Sequence, residues 1–165
     1  MRPHRPSARA PSDRTHHFVA RLAFTLIELL AAMTILSILV SLAVPKFEEA
    51  KEQANIAKAI GDLRAMSIEL NTKDELPSTL AGIGRADRLD PWGRTYVYYK
   101  FPPVKGKAGP KGARKNRFLH PLNSYYDLYS VGKDGGSNAP LTAKASQDDV
   151  IVANDGGFVG LARKY

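Results

Sequence analysis

The sequence contains no cysteine, so no disulfide can stabilise any part of this 165-residue chain. Extra stabilisation of a small exported domain would then have to come from a bound metal ion or from assembly. Catalytic patterns are missing as well, because no serine, histidine and acid are spaced as a nucleophilic set and no glycine-rich phosphate loop occurs. These absences argue against an enzyme and favour a structural subunit.

Charge is nearly absent from one long stretch near the N-terminus. The sixteen residues from Leu29 to Val44 carry none, and counting back to Phe24 gives an apolar run of twenty-one residues that only Glu28 interrupts. About 20 apolar residues cross a bilayer as a helix. A carboxylate in such a run needs a partner, and the candidate is a new α-amino group at Phe24, created by cleavage after Ala23. The alternative is a plain signal anchor with a stray acid.

The segment before this run is basic. Residues 1–23 carry a net charge of +4 and show no hydrophobic periodicity, which predicts a disordered cytoplasmic leader rather than a histidine metal tract. Basic residues flank the cytoplasmic end of membrane helices. We therefore expect a single pass through a membrane, with the N-terminus in the cytoplasm and the C-terminal domain on the opposite side.

The helical period continues after the apolar run, although the composition turns polar at Lys46. Pro45 separates the two parts and is expected to bend the helix. Residues 24–44 are thus predicted as a transmembrane helix and residues 45–74 as its amphipathic continuation. The continuation carries one stripe that needs a packing partner, formed by Ile56, Ile60, Leu63, Ser67 and Leu70.

Residues 75–165 are predicted to form the globular domain. The expected fold is α+β, with the long N-terminal helix packed on a small antiparallel sheet and with a C-terminal loop region. Tyr125, Leu128 and Tyr129 are available to face the helix. Four β-prone segments supply the strands: 95–99, 124–131, 150–153 and 158–161.

Positive charge is concentrated in a second place. Residues 100–117 contain seven lysines and arginines and no acid, whereas the chain outside this segment and the leader carries −3. Residues 102–117 read as a mobile basic loop insertion. Nearby aromatic residues could stack on bases, which would make it a nucleic-acid patch. A solvated loop or a contact between subunits is favoured instead, because the charge is confined to this insertion.

Residues 23–29, Ala-Phe-Thr-Leu-Ile-Glu-Leu, resemble the class III signal of type IV pilins and pseudopilins. The resemblance implies that a prepilin peptidase cuts between Ala23 and Phe24 and that the new amine of Phe24 is methylated. It also implies that Glu28 is the assembly residue and that Pro45 is the helix-bending proline. The residue before the cut is usually glycine in this superfamily, and here it is alanine.

Two further segments resemble the major pseudopilins of type II secretion, the general secretion pathway protein G family. They are residues 90–93, Asp-Pro-Trp-Gly, and residues 126–135, Tyr-Asp-Leu-Tyr-Ser-Val-Gly-Lys-Asp-Gly. The resemblance implies a helical homopolymer, the periplasmic pseudopilus, which drives export of folded proteins across the outer membrane. Implied partners are minor pseudopilins, the peptidase and an inner-membrane platform with its cytoplasmic ATPase. The alternative is a type IV pilus subunit for adhesion, motility or DNA uptake.

The same resemblance implies a calcium ion in the C-terminal loop. Calcium takes about six to eight oxygen ligands from flexible loops. The long spacer, residues 136–147, departs from the compact loop of the family, and a solvated acidic loop is the alternative. The implied ligands are Asp134, Asp148, Asp149 and the Val131 carbonyl. The sequence itself offers extra oxygen atoms at Ser137, Asn138 and Asp155.

Overall fold

The computed structural model describes residues 24–103 and 109–165. The predicted leader, with Ala23 at its end, and residues 104–108 of the basic insertion lie outside the described residues. The chain divides into two compact units, Met1–Ala43 and Val44–Tyr165, which are described separately.

The first secondary-structure element is one long helix, α1, which runs from Leu26 to Asn71. It begins with a reciprocal cap, in which Glu28 accepts a hydrogen bond from the backbone N–H of Thr25 at 2.9 Å and donates its own N–H to the Thr25 hydroxyl at 3.3 Å. Pro45 lies inside α1, and the helix continues through it. The helix is long and apolar enough to cross a membrane, and it confirms the predicted helix to within three residues at each end.

A four-stranded antiparallel sheet forms the second part of the fold. The strands follow one another in space as they do in the chain, with pairs such as Tyr98 opposite Leu128 and Tyr129 opposite Ile151. Such a meander needs only local connections. This arrangement confirms the α+β prediction. The strands are β1 (Val97–Lys100), β2 (Tyr126–Ser130), β3 (Val150–Ala153) and β4 (Phe158–Leu161).

The main core of the Val44–Tyr165 unit lies between α1 and one face of the sheet. The predicted stripe is confirmed, although Ile56 and Ile60 are only half-buried at its edge, and Ala59 and Met66 complete it. Burying one leucine, valine or methionine side chain contributes about 1.5–3 kcal/mol to the stability of the fold. The buried members of this core are Ala59, Leu63, Met66, Leu70, Leu80, Tyr96, Tyr126, Leu128, Val150, Val152 and Leu161.

The side chains of β2 that face the helix differ from the prediction. Tyr126 and Leu128 contact the α1 core, whereas Tyr125 is exposed and Tyr129 packs in a second cluster with Ile151. Because successive side chains of a strand point to opposite faces, Leu128 and Tyr129 cannot both face the helix. The predicted roles of Tyr125 and Tyr129 were therefore wrong.

Tyr126 explains why the apolar stripe contains a serine. Its hydroxyl group lies 3.1 Å from Ser67 Oγ and donates to Asn71 Oδ1 at 3.1 Å. Replacing Tyr126 with phenylalanine leaves the buried Ser67 without this contact, so we expect a loss of about 1–2 kcal/mol in unfolding free energy. Urea unfolding of the detergent-solubilised chain, followed by the fluorescence of its single tryptophan, measures this loss. The exposed Tyr125→Phe is the matched control, and equal stability of the two variants would contradict the assignment.

Candidate functional site

The N-terminal end of α1 carries the predicted assembly residue. Glu28 Oε2 accepts hydrogen bonds from both the backbone N–H and the hydroxyl of Thr25, at 2.9 and 2.8 Å. Among the described residues these are the hydrogen bonds of its carboxylate, so no basic side chain in this part of the chain neutralises it. The carboxylate is therefore satisfied by its own helix cap in a single chain, and its role in assembly stays a prediction.

The apolar segment of α1 that precedes Pro45 is uncovered within the part of the chain that the structure describes. Thr34, Ser37 and Ser41 donate their hydroxyl groups to backbone carbonyls of the preceding turn, which leaves few free polar groups on this segment. Such a surface needs lipid or other apolar helices around it. The exposed residues include Leu26, Ile27, Leu29, Leu30, Met33, Ile35, Leu36, Ile38, Leu39, Val40, Leu42 and Val44.

Asp90 organises the turn at residues 90–93. Its buried carboxylate accepts the backbone N–H groups of Trp92 and Arg94 through Oδ1 and the Ser130 hydroxyl, at 2.6 Å, through Oδ2. Trp92 packs against the core and donates its indole N–H to Glu52 at 3.3 Å. The turn is thus fastened both to α1 and to the end of β2, the strand that leads into the predicted calcium loop.

Two glycines let the segments of this loop touch. Gly132 has a φ of +67°, and a Cβ there would lie 2.4 Å from the backbone oxygen of Asp148. Gly135 has a φ of +74°, and a Cβ there would lie 2.6 Å from the guanidinium of Arg94, which itself donates to the Gly132 carbonyl at 2.8 Å. A Cβ at Gly132 would force its segment away from the Asp148 backbone, whereas a Cβ at Gly135 would require the Arg94 side chain to move.

The three predicted acidic ligands lie near one another but have different partners. Asp134 is exposed and accepts the Gly136 N–H at 2.7 Å. Asp148 accepts the Asp134 N–H at 2.9 Å. Asp149 is fully buried, and its Oδ2 accepts the Ser137 hydroxyl at 2.7 Å and the Arg114 guanidinium at 2.6 Å.

The remaining predicted oxygen donors are only partly associated with this place. Val131, whose carbonyl was the implied backbone ligand, directly follows β2. The backbone of Asn138 is held by the Ser146 hydroxyl. Asp155 lies elsewhere, because its carboxylate accepts the N–H and hydroxyl of Ser124, both at 2.7 Å.

This donor set does not by itself fit a calcium ion. Among residues 24–103 and 109–165, no three acidic or histidine side chains converge as metal ligands. Asp149 Oδ1 is buried without a hydrogen-bond partner, but the neighbouring Oδ2 already holds a cationic side chain. Calcium binding by Asp134, Asp148 and Asp149 therefore stays a prediction.

Arg114 is the residue that the sequence analysis missed. The basic insertion was expected to be solvated, yet Ala113 and Arg114 are buried and the Arg114 guanidinium lies 4.3 Å from the centre of the Tyr129 ring. The backbone N–H of Arg114 also donates to the buried carboxylate of Asp127 at 2.6 Å. A usable signal was Asp149 itself, because an acid directly before an apolar strand is prone to burial and then requires a positive partner.

Burial raises the pKa values of two acidic side chains that contact Arg114, those of Asp149 and Asp127. It raises the pKa of Asp149 to about 6, against the opposing effects of the Ser137 hydroxyl and the Arg114 charge. It also raises the pKa of Asp127, where the Arg114 N–H and the Asn123 amide act in the opposite direction. The contact between Asp149 and Arg114, at 2.6 Å with both side chains buried, is a buried ion pair.

Two comparisons with known proteins find relatives of this chain. Residues 20–44 match the family described as the prokaryotic N-terminal methylation motif. The type II secretion system core protein G of Pseudomonas aeruginosa is 30% identical over 137 residues, an alignment that covers 68% of this chain and 83% of the relative. No solved structure matches the chain.

The motif match spans the predicted cleavage position and Glu28, and the helix that follows is apolar and exposed, so the chain is membrane-anchored through α1. The similarity to core protein G extends beyond α1, because it covers 68% of the 165-residue chain and α1 ends at Asn71. The chain belongs to the core protein G family of type II secretion, the major pseudopilins of the type IV pilin-like superfamily.

Proposed function

We propose that this chain is the repeating subunit of the periplasmic pseudopilus of a type II secretion system. The observation that carries the proposal is the exposed apolar segment of α1 before Pro45, whose single carboxylate is Glu28 in the first turn. A family relationship to a secretion core protein supports it. The filament would push folded proteins through the outer membrane, and the chain itself would perform no chemistry.

In this proposal the subunit resides in the membrane before assembly. On assembly, its apolar helix leaves the lipid and packs against the helices of other copies. Apolar helices gain no hydrophobic free energy by leaving lipid, so packing and polar pairing must favour the filament. Glu28 supplies the polar pairing by meeting the α-amino group of Phe24 on a neighbouring copy. The Val44–Tyr165 unit then lies on the outside of the helical polymer.

The proposed topology places residues 1–23 in the cytoplasm and the globular unit in the periplasm, across the inner membrane. Prepilin peptidase would process the leader. Minor pseudopilins, an assembly platform and its cytoplasmic ATPase would complete the machine, and the ATPase would supply the energy. Nucleic acid is not among the proposed partners.

Processing gives a direct prediction. Mass spectrometry of the membrane-extracted chain should find a mature N-terminus at Phe24 that carries one added methyl group. Ala23→Gly should be processed at least as completely, since it restores the residue usual before the cut, whereas the bulky Ala23→Leu should accumulate uncut. A mature chain that retains its leader in the native host would contradict this prediction.

Deletion of the gene in its own bacterium tests the function. Secreted proteins should then accumulate folded in the periplasm and disappear from the culture medium, and the plasmid-borne gene should restore them. The competing function is that of a surface type IV pilus subunit. Unchanged secretion with loss of twitching, adhesion or DNA uptake would support that alternative and overturn the proposal.

A further inference from the structure

The buried ion pair between Arg114 and Asp149 joins two parts of the chain that depart from the family pattern. Arg114 comes from the basic insertion, residues 102–117, and its guanidinium donates to Asp149 Oδ2 at 2.6 Å. The same guanidinium donates to Ser137, which lies in the long spacer, residues 136–147. Both unusual segments therefore meet at one carboxylate.

The backbones of these two segments are also hydrogen-bonded to each other. The N–H of Lys115 donates to the Ala139 carbonyl at 2.9 Å, and the N–H of Leu141 donates to the Lys115 carbonyl at 2.9 Å. Together with the contact between the Arg114 N–H and Asp127, these bonds fix the position from which the arginine side chain extends. The insertion is thus built into the loop region at this point and is not merely a charged surface loop.

The buried carboxylate of Asp149 needs a positively charged partner, either a metal ion or a basic side chain. Its side chain is 0% exposed, and an isolated buried carboxylate is strongly unfavourable. Arg114, itself only 4% exposed, supplies that charge, and its planar face is covered by the Tyr129 ring. Arginine suits this role because it stays charged when buried and can donate to two oxygens at once.

We propose that Arg114 takes the place of the calcium ion that the resemblance to major pseudopilins implies for this loop. A divalent cation beside Asp149 would be repelled by the guanidinium. The other implied carboxylates already accept backbone N–H groups, Asp148 from Asp134 and Asp134 from Gly136. The positive charge that holds the C-terminal loop together is covalently part of the chain, so the loop folds without external calcium. This inference does not depend on the proposed function.

The test is thermal unfolding of the full chain in detergent, followed by Trp92 fluorescence, in millimolar calcium and in a chelator. The wild-type midpoint should differ by less than about 1 °C between the two conditions, because a ligand that does not bind the native state cannot stabilise it. Arg114→Gln should lower the midpoint in both conditions by on the order of 10 °C, since it leaves a buried charge unpaired. Lys115→Gln, which removes an exposed charge from the neighbouring position, is the matched control and should change little.

A double variant separates the ion pair from general damage to the loop. Arg114→Gln combined with Asp149→Asn leaves no buried charge, so it should recover part of the stability lost in Arg114→Gln alone. Additive losses would overturn the proposal, as would equal midpoints for Arg114→Gln and Lys115→Gln. If Arg114→Gln fails to fold, the wild type alone decides, because a rise of several degrees in calcium means that the site binds the ion with Arg114 present.

Discussion

Glu28→Gln should reduce filament assembly by on the order of 100-fold without lowering the amount of the chain in the membrane. The substitution keeps an oxygen that can accept from Thr25, as in the reciprocal cap of α1, but removes the charge. An unpaired charge within an apolar helix assembly costs about 2.5–3.5 kcal/mol, and each 1.4 kcal/mol corresponds to about tenfold in an equilibrium. The neighbouring Phe24 amine would be left without its partner.

The matched control is Thr25→Ala, which removes the side-chain cap but leaves the Glu28 carboxylate charged. It should weaken assembly far less than Glu28→Gln. The measurement is the fraction of the chain found in filaments sheared from cells, with the membrane fraction quantified in parallel. Similar defects in the two variants would mean that Glu28 acts through helix capping and not through its charge.

Gly132→Ala should destabilise the Val44–Tyr165 unit by about 2–4 kcal/mol, the combined effect of a left-handed backbone and of overpacking. Gly132 has a φ of +67°, and its new methyl group would lie 2.4 Å from the Asp148 backbone oxygen. Because that oxygen belongs to backbone, it cannot move away by a side-chain rotation. Urea unfolding of the full chain in detergent measures the loss through Trp92 fluorescence.

Gly84 offers a close control, because its φ of +69° is almost the same but nothing lies within 4 Å of its Cβ position. Gly84→Ala should therefore show the backbone strain alone, about 1–2 kcal/mol. The difference between the two variants isolates the contact between the Gly132 segment and Asp148. If Gly84→Ala cost as much as Gly132→Ala, the close approach of these segments would not explain the loss.

Local patterns of sequence were enough to predict the helix and the strands. The uncharged run before Pro45 and the stripe that follows it define α1, and the short apolar segment 150–153 coincides with β3. The predicted stripe omitted Met66, which is buried in the structure. Burial at the edge of a helix face depends on how far the partner surface extends, and the sequence does not show this. The error at Tyr129 came from ignoring the alternation of side chains along β2.

The buried charges could not be predicted in the same way. Arg114 lies among lysines, glycines and prolines, a composition typical of solvated loops, and its burial depends on Asp149, 35 residues further along the chain. Asp90 and Asp127 are also buried carboxylates whose partners lie elsewhere in the chain. Asp90 accepts a hydrogen bond from the Ser130 hydroxyl, and Asp127 accepts one from the Arg114 backbone N–H. Long-range polar contacts of this kind leave no periodic signal in a sequence. The partners of these buried charges could therefore be identified only from the structure.

Electron microscopy of filaments tests the central claim most directly. The chain would be overproduced with its prepilin peptidase and assembly platform, and sheared material would be imaged and identified by mass spectrometry. We predict thin helical filaments built from this chain with Phe24 as the first residue, and their loss in Glu28→Gln. A processed chain that stays dispersed in the membrane and forms no filament would contradict its assignment as a pseudopilus subunit.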